Sequence, residues 1–538
     1  MHAEYHVEAF TPEEQQLLAP HVTNLDRPVF GLVNLPQITA AALFARYSRS
    51  SKSLRRLLLD EFLTGDQPGP VAADAGRARA SDLFGRVLAA YGDDSVAQLA
   101  GVHLACEQVS QPLAKAIEWG RLGAYLEQST RYIPYTDRRD GHYRYLRGSD
   151  VLSSALGSTY VRAMDGLFET YAALREPLSA HLDETLAPEP DEKARKRAIR
   201  ALALDLMRGL LPAGTVSNVG VFASPQAYEQ LVMRLRAHPL PEAQAYAELV
   251  NTELQHMIPD FLTRLDRPER GGAWVDYLRD TAAALGVAAD ALSPEKEWGP
   301  PGVTLVDWDS DGEDQILAAA LFPYSQASEE RLLAAVRPLD PVQRARLFVA
   351  AVGERGNRRH RPGRGFEHCD YTFEVISDYG AFRDLQRHRM LTVQWQELTP
   401  TLGYDIPPAV DAAGLSGRWR EAVATAEVAY KAMVGTFPQQ AGYLVTLGHR
   451  VRYLIKLNAR EAVHLIELRT SPQGHPSYRQ ICQEMLRLID EVAGHHLVAG
   501  TMRFAGSDDV HLPRYAAEAR SAAGNEEADA DETLTSSD

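Results

Sequence analysis

The stretch that decides the fold is Tyr371–Leu391, which reads YTFEVISDYGAFRDLQRHRML. Its first five residues alternate between apolar and polar side chains, and this period of two predicts a β-strand over 371–376. A helical stretch follows and ends at Arg387-His388-Arg389, three consecutive potential cations. Because like charges repel, an anion bound beside this triplet would relieve it. The alternative interpretation is a solvated helix edge.

The same succession of a strand and a helix is predicted at Val102–Glu107 in the first half of the chain. Apolar residues at helical spacing predict further amphipathic helices. They cover residues 54–59, 83–90, 227–235, 332–336, 422–434 and 485–498. Together these elements predict an α+β fold.

A second polar cluster lies in residues 454–469, LIKLNAREAVHLIELR. Projected as one helix at 100° per residue, this segment places Asn458 and Arg469 among apolar side chains, where polar groups need buried partners. The other face carries four titratable residues, for which pairing of Glu with Arg within the helix is the alternative. They are Arg460, Glu461, His464 and Glu467.

An internal repeat indicates a duplicated chain. The octapeptide QITAAALF at 37–44 returns as QILAAALF at 315–322, with seven of eight positions identical. The repeat predicts a first domain at 25–265 and a second at 303–515, joined by a linker at 266–302 that contains Pro and Gly. The acidic residues 516–538 are too poor in apolar side chains to order themselves and are predicted to be disordered.

Composition excludes several classes of protein. The chain has 538 residues, 45% of them hydrophobic and 24% charged, which is typical of globular domains. Its net charge of -16 argues against non-specific binding to nucleic acid or to an anionic membrane. We find no signal-peptide pattern and no apolar run of membrane-spanning length, so a cytoplasmic protein is expected. The three cysteines are too far apart for a disulfide framework or a paired-cysteine zinc site.

The motifs, with their spacing, resemble those of the flavin-dependent thymidylate synthases. In the second half, Phe366-Glu367-His368 precedes Arg387-His388-Arg389 by eighteen residues, and Asn458-Ala459-Arg460 follows. In the first half, Glu127–Tyr132 (EQSTRY) resembles the family's Glu-x-Ser-x-Arg-Tyr, and Met207–Pro212 (MRGLLP) resembles its Ala-Arg-x-x-Leu-Pro. The resemblance implies two tandem domains, each a small mixed β-sheet packed by helices.

Each half lacks the motifs that the other keeps. The first half has Trp119-Gly120-Arg121 in place of the triplet and Ser224-Pro225-Gln226 in place of Asn-x-Arg. The second half has no Ser-x-Arg, and Gly442 stands where the Ala-Arg arginine is expected. In the family, active sites form where subunits meet. The resemblance therefore implies one composite site between the two halves, and a homodimer that is equivalent to four family subunits.

The resemblance also implies roles for individual residues. A catalytic role falls to Arg387, His388 and Ser129. Binding of FAD falls to Arg387, His388, Arg389, Asn458, Arg460, His464 and Glu127. Binding of the nucleotide falls to Ser129, Arg131, Arg208 and Arg469, since the guanidinium fork matches phosphate oxygens. The implied reaction methylates dUMP to dTMP, with methylenetetrahydrofolate as the carbon donor and NADPH-reduced FAD as the hydride source.

Several alternatives stay open at this stage. Asp384 stands where the family has a glutamine, which leaves a non-catalytic flavin- or nucleotide-binding protein, or a flavoprotein acting on another uracil compound. The basic loop 355–364 is either a site for a polyanion, such as FAD pyrophosphate, NADPH or a folate tail, or a solvated loop. No metal is predicted, because His368, Cys369 and His388 lack a paired-cysteine or His-Glu-x-x-His pattern.

Overall fold

The structure is a computed structural model that describes residues 8–48, 50–63, 98–293, 299–507 and 515. The predicted helix 83–90 and the predicted disordered tail 516–538 lie outside the described residues. The chain forms two compact units. The first comprises Met1–Glu107, Ala116–Glu127 and Asn218–Glu295, and the second comprises Gln108–Lys115, Gln128–Ser217 and Lys296–Asp538. The second unit thus draws on both halves of the sequence, and the domain boundaries 25–265 and 303–515 stay a prediction.

The first unit is built around a three-stranded sheet of order β1-β5-β2, in which β2 and β5 are antiparallel. Its strands are β1 (Val102–Val109), β2 (Gly123–Glu127) and β5 (Ser217–Ala223). The predicted strand at 102–107 is confirmed. Helices and single helical turns follow or precede these strands. They are Pro12–Leu18, Gln37–Tyr47, Leu54–Leu57, Leu58–Leu63, Pro225–Ala237, Pro241–Met257, Pro259–Phe261, Pro268–Gly272 and Ala273–Leu292, with Gln111–Glu118 running from one unit into the other.

The second unit is built around a four-stranded sheet of order β6-β7-β9-β8. Its strands are β6 (Gly302–Trp308), β7 (Asp370–Asp378), β8 (Thr392–Trp395) and β9 (Arg450–Asn458), and a short hairpin pairs β3 (Arg138–Arg139) with β4 (His142–Tyr143). All neighbouring strands of the four-stranded sheet are antiparallel. The predicted strand 371–376 is β7, and its alternation has the predicted cause because Tyr371, Phe373 and Val375 are fully buried.

Helices cover this second sheet and extend beyond it. The longest, Gly157–Thr185, packs against Glu192–Met207 and Ser416–Met433. The other helices and helical turns are Ser149–Leu152, Arg208–Leu210, Gly312–Leu321, Phe322–Tyr324, Glu329–Val336, Pro341–Val352, Arg364–His368, Tyr379–Leu385, Pro400–Leu402, Pro408–Ala412, Pro438–Ala441, Gly442–Leu444, Ala459–Arg469, Pro476–Glu491 and His496–Thr501. The α+β prediction is confirmed. None of the described helices is long and apolar enough to cross a lipid bilayer.

The prediction of a single helix over 454–469 is wrong. Residues 450–458 form β9, and only Ala459–Arg469 is helical. Every second side chain of this segment is buried, as expected of a strand with one face in the core. The buried residues are Val451, Tyr453, Ile455 and Leu457. Asn458 is the N-cap of the helix, and its Oδ1 accepts the Glu461 N–H at 2.9 Å. It is therefore a capping residue and not a polar group among apolar neighbours.

One further prediction needs correction, and the predicted linker has a helix within it. The helix expected over 485–498 is interrupted, since Pro476–Glu491 ends before Gly494, which has a φ of +71°, and His496–Thr501 begins afterwards. The linker 266–302 contains the long helix Ala273–Leu292. The repeated octapeptide lies on a helix in both halves, Gln37–Tyr47 and Gly312–Leu321.

Candidate functional site

The Arg-His-Arg triplet is positioned by β7 and the short helix after it. Asp378 caps the helix Tyr379–Leu385, accepting the Ala381 N–H at 2.8 Å, and the chain turns out of the helix just before the triplet. Arg387 and Arg389 are exposed, whereas His388 is only 7% exposed. The solvated-edge interpretation therefore does not fit the histidine between the two arginines.

Asp384, on the same helix, forms a buried ion pair with Arg208 from the first half of the sequence. Arg208 Nη1 donates to Asp384 Oδ2 at 2.7 Å, and the two side chains are 4% and 5% exposed. Arg387 Nη2 lies 3.1 Å from Asp384 Oδ1. Burial alone would raise the pKa of Asp384, but Arg208 and then Arg387 hold it well below its ordinary value. Asp384 is thus an ionised internal counter-ion.

The guanidinium of Arg208 lies flat against the backbone of Gly380. A Cβ at that position would stand 3.1 Å from the guanidinium carbon, so the glycine makes this close approach possible. Within the described part of the chain, Arg208 Nη2 is buried and has no hydrogen-bond partner. A buried donor without a partner costs free energy, and a ligand oxygen would satisfy it.

Arg131, also from the first half, is held by a second carboxylate. Its Nε and Nη2 donate to the two oxygens of Asp205 at 2.7 and 2.6 Å, a bidentate geometry. Its Nη1 donates to Tyr478 Oη at 2.9 Å, and Nη2 also donates to the Gln473 carbonyl at 3.1 Å. Ser129 Oγ accepts the Arg131 backbone N–H at 3.1 Å. The Ser-x-Arg segment is thus folded back on itself beside residues of the second half.

Arg469 joins the triplet to the helix Ala459–Arg469. Its Nε donates to His388 Nε2 at 3.0 Å, and its Nη2 donates to the Asp384 carbonyl at 2.6 Å. His388 Nδ1 lies 2.9 Å from Glu461 Oε1. Because Nε2 accepts a hydrogen bond from an arginine, the ring proton is on Nδ1, and this N–H donates a hydrogen bond to Glu461. Burial, with the charges of Arg469 and Arg361, lowers the pKa of His388 well below its ordinary value, so the ring is neutral.

His464 and Arg460 lie on the same helix, and their partners come from outside it. Arg361 Nη2 lies 3.2 Å from His464 Nε2, and burial lowers the pKa of His464 to about 4. Arg460 donates to the Pro362 carbonyl at 2.9 Å and to Glu367 Oε1 at 3.2 Å. Pairing within the helix, the alternative drawn from the sequence, is not the arrangement found for these side chains.

One group of potential metal ligands occurs among the described residues: His388, Glu461 and His464, whose ligand atoms lie within 4.8 Å of one another. Two histidines and a glutamate would suit zinc. However, Nε2 of each ring already faces an arginine, Arg469 in one case and Arg361 in the other. A divalent cation would have to displace both guanidinium groups, so the arrangement suits an anion better.

The remaining predicted residues are placed as follows. Glu127 ends β2 in the first unit, opposite Val219. His368 is exposed, with Nδ1 3.6 Å from Glu329, and Cys369 is buried with its Sγ 3.9 Å from His495 Nδ1. Neither of these two therefore belongs to the His388 group.

The basic loop 355–364 divides into a buried and an exposed part. Arg355 is 2% exposed, and its guanidinium donates to both oxygens of Glu467, as well as to the Thr501 carbonyl at 2.6 Å. It is a structural residue that ties the loop to the helix. Arg358, Arg359 and Arg361 are exposed, and only this part of the loop fits the polyanion interpretation.

Three residues of this region were missed by the sequence reasoning: Asp205, His475 and Tyr478. All three are at least nine-tenths buried. The dipeptide His475-Pro476 carries a local signal, because proline is common at the first position of a helix. His475 is in fact the N-cap of Pro476–Glu491. Asp205 carries no such signal, since it lies in the helix Glu192–Met207 just before the Met207–Pro212 motif and is not part of that motif.

Four arginines and two carboxylates therefore meet in the second unit, and we call the arginines the arginine cluster: Arg131, Arg208, Arg387 and Arg469. Asp205 and Asp384 are the acids paired with them, so the arginines outnumber their paired acids by two, and the buried Asp378 also acts on Arg208. This excess of positive charge favours an anion such as a phosphate monoester. The arrangement can bind and orient such an anion.

Both halves of the chain are similar to known proteins. A family model described as thymidylate synthase complementing protein matches the chain twice, over residues 37–260 and 304–494. A UPF0159 protein of Chlamydia muridarum is 37% identical over 521 residues, which cover 95% of this chain and 98% of the relative. A UPF0159 protein of Chlamydia pneumoniae is 36% identical over 524 residues, with the same coverage.

A more distant relative, a UPF0159 protein of Thermoplasma acidophilum, is 30% identical over 511 residues, covering 90% of this chain and 98% of its own. The relatives therefore share the full tandem organisation of this chain. The double match of the family model and the motifs of the two halves agree. The chain belongs to the thymidylate synthase complementing protein family, which is the family of flavin-dependent thymidylate synthases.

Proposed function

We propose that the protein is an FAD-dependent thymidylate synthase. The net reaction converts dUMP, methylenetetrahydrofolate and NADPH with a proton into dTMP, tetrahydrofolate and NADP⁺. The observation that carries the proposal is the arginine cluster, which has a surplus of positive charge and a buried donor, Arg208 Nη2, without a partner among the described residues. The phosphate of dUMP supplies both the charge and the acceptor.

The nucleotide would be held by residues of both halves. Arg131 and Arg208 come from the first half, and Arg469 from the second. Tyr478 lies beside Arg131 and Arg469, with its ring centroid 5.7 and 5.5 Å from their guanidinium carbons. These contacts fix the directions of the guanidinium planes before a ligand arrives, which reduces the entropy lost on binding.

The residues around His388 fit the anionic ring of a reduced flavin. His388 is neutral and held by Glu461 and Arg469, and the exposed Arg387 and Arg389 flank it with positive charge. Bound FAD would supply the hydride that it receives from NADPH. His388, Arg387 and Arg389 would hold the cofactor, with Arg361 and His464 next to them.

The cysteines of this chain favour a flavin route over thiol attack on the uracil ring. Burial raises the pKa of Cys106 to about 11 and the pKa values of Cys369 and Cys482 to about 12. All three thiols are buried, so each is protonated at neutral pH. A protonated, buried thiol is a poor nucleophile.

The test is production of dTMP by the purified protein supplied with FAD, dUMP, methylenetetrahydrofolate and NADPH. We expect dTMP to form, and to be lost with Arg208→Ala but kept with Arg487→Ala, which changes an exposed arginine of the helix Pro476–Glu491. Rescue of a thymidine-requiring strain provides the same test in cells. Absence of dTMP from folded, FAD-loaded protein would contradict the proposal.

A second candidate is favoured by one observation, the ion pairs of Asp205 and Asp384, which neutralise two arginines of the cluster. A site with this much internal counter-charge also suits a uracil compound that carries less negative charge than dUMP, or binding without catalysis. Methylation of deoxyuridine or of uracil within RNA, in the absence of dTMP formation from dUMP, would favour this candidate.

A further inference from the structure

The segment His475–Tyr478 forms part of the surroundings of the arginine cluster, although no motif of the sequence includes it. Tyr478 Oη accepts from Arg131 Nη1 at 2.9 Å, and the neighbouring Gln473 carbonyl accepts from Arg131 Nη2 at 3.1 Å. The rings of His475 and Tyr478 have centroids 6.3 Å apart. Gly474 lets the loop pass close to Tyr478, because a Cβ there would lie 2.8 Å from the tyrosine ring.

His475 is a neutral ring whose tautomer is fixed by the helix it caps. Its Nδ1 accepts the Ser477 backbone N–H at 3.2 Å, so Nδ1 carries no hydrogen. Burial, followed by the charge of Arg208, lowers the pKa of His475 to about 3. At neutral pH the single ring proton is therefore on Nε2, and His475 can only donate from that atom. A histidine kept neutral at a helix N-terminus can still polarise an oxygen by donating such a hydrogen bond.

Tyr478 can also donate a hydrogen bond, because its oxygen has already accepted one from the protein. Its oxygen already accepts a hydrogen from Arg131, and burial raises the pKa of its phenol, which keeps its own proton. The O–H is thus left to donate. The ring is 3% exposed and lies between the guanidinium groups of Arg131 and Arg469.

Three donors of different kinds therefore belong to one region: Arg208 Nη2–H, His475 Nε2–H and Tyr478 O–H. Arg131 is bonded to Tyr478, and Ser477, between the two rings in sequence, donates a hydrogen bond from its Oγ to Asp378. Asp378 caps the helix that carries Asp384, the partner of Arg208. The acceptor positions of both rings are used by the protein. A group that satisfies all three donors must present several acceptor oxygens, as a deprotonated phosphate does.

We propose that His475 and Tyr478 are specificity-determining residues that donate hydrogen bonds to the phosphate oxygens of the nucleotide, beside Arg208. This inference rests on the proposed function for the identity of the nucleotide. The two residues add donors to the site without adding positive charge. They therefore recognise the phosphate by its acceptor geometry, whereas the arginine cluster recognises it by its charge.

The experiment measures binding of dUMP, deoxyuridine and inorganic phosphate by titration calorimetry to the full-length protein and two variants. His475→Asn keeps an oxygen that can cap the helix but loses the Nε2–H donor. Tyr478→Phe keeps the ring and loses the O–H. We expect each variant to bind dUMP about tenfold more weakly and deoxyuridine as before, since a hydrogen bond to a charged group is lost.

The matched control is Tyr160→Phe, which removes a buried phenol bonded to the Leu146 carbonyl in the same unit. It should leave the affinity for dUMP unchanged. If His475→Asn does not fold, as judged by circular dichroism, Tyr478→Phe alone decides the question. Unchanged dUMP affinity in a folded Tyr478→Phe variant overturns the proposal, as does an equal loss of affinity for dUMP and deoxyuridine.

Inorganic phosphate separates this inference from the proposed function. If wild-type protein forms no dTMP but binds phosphate, and both variants weaken that binding, the synthase proposal fails and the assignment of His475 and Tyr478 stands. If dTMP forms and neither variant changes binding of dUMP or phosphate, the synthase proposal stands and the assignment of His475 and Tyr478 fails.

Discussion

Two strand–cap–helix segments of this chain have the same backbone plan and different chemistry. In the first half, β5 leads to Ser224, whose Oγ accepts the Ala227 N–H at 3.4 Å at the start of the helix Pro225–Ala237. In the second half, β9 leads to Asn458, which caps Ala459–Arg469 in the same way. Both caps therefore satisfy the same helix-terminal N–H group.

Counting from the caps aligns Met233 with Glu467 and Leu235 with Arg469. Met233 is 8% exposed and Leu235 is fully buried, so the first segment fills these positions with ordinary core residues. The second segment fills them with an acid bound to Arg355 and with an arginine of the cluster. The scaffold therefore does not require charge at these positions, which supports a functional reason for Arg469.

The largest effect, on the free energy of unfolding, is expected from replacing Glu467 by methionine, the residue at the corresponding position of the first segment. Glu467→Met leaves the buried Arg355 without its carboxylate, so we expect the free energy of unfolding to fall by about 3–5 kcal/mol. Urea denaturation followed by tryptophan fluorescence measures it. The double variant Arg355→Met/Glu467→Met should recover most of the loss, and a single variant that loses less than about 1 kcal/mol would contradict this view.

The next largest effect is expected on the affinity for dUMP when Arg469 is replaced. Arg469→Leu installs the residue of the first segment and removes the bonds to His388 and Asp384. We expect the Kd for dUMP to rise about ten- to hundredfold, because charged hydrogen bonds to the phosphate are lost. The same change at the exposed Arg487 is the control and should leave calorimetric affinity unchanged. Equal affinities of the two variants would remove Arg469 from the nucleotide site.

The surroundings of the second segment should also be sensitive to acid, because they include the buried His475. His475 has a folded-state pKa of about 3, below its ordinary 6.5. Between these values the unfolded chain binds a proton that the folded chain does not, so stability falls as pH drops below 6.5. His475 should account for about 2 kcal/mol between pH 7 and pH 5.

Urea denaturation of wild-type protein and His475→Asn at both pH values measures this contribution. The variant should lose less stability on acidification than the wild type does. Identical losses would mean that His475 is not held neutral in the folded state.

The smallest effect is expected from giving the first segment the motif of the second. Ser224→Asn with Gln226→Arg restores Asn-x-Arg, but asparagine and serine are similar caps, so stability should change by less than about 0.5 kcal/mol. The flavin absorbance per chain, near ~450 nm for oxidised flavin, should stay the same. A doubled absorbance would show that the first half needs only these two residues to bind flavin.

The sequence predicted the elements whose patterns are local. The alternation of Tyr371, Phe373 and Val375 predicted β7, because one face of that strand is buried throughout. It did not distinguish β9 from a helix, because 454–469 contains a strand and a helix and both are rich in apolar residues. The N-cap Asn458 marks the boundary between them, and a helical projection that runs through a cap is bound to fail.

The candidate site was predictable in its residue types and not in its counter-ions. The motifs indicate the arginines, and Asp384 stands out as an acid where the family has a glutamine. Its role as the partner of Arg208 depends on a contact across 176 positions of sequence, which no local pattern reveals. Asp205 and Tyr478 likewise contact Arg131 from distant positions of the sequence, so no local pattern reveals them.

The 176 positions between Arg208 and Asp384 also bear on how the chain is made. At about 5–20 residues per second, Arg208 is synthesised roughly 10–35 s before its carboxylate partner. During that time the side chain of Arg208, which is buried in the folded protein, stays exposed to water. The second unit therefore cannot close around it until most of the polypeptide has been translated, which ties completion of the arginine cluster to the last third of synthesis.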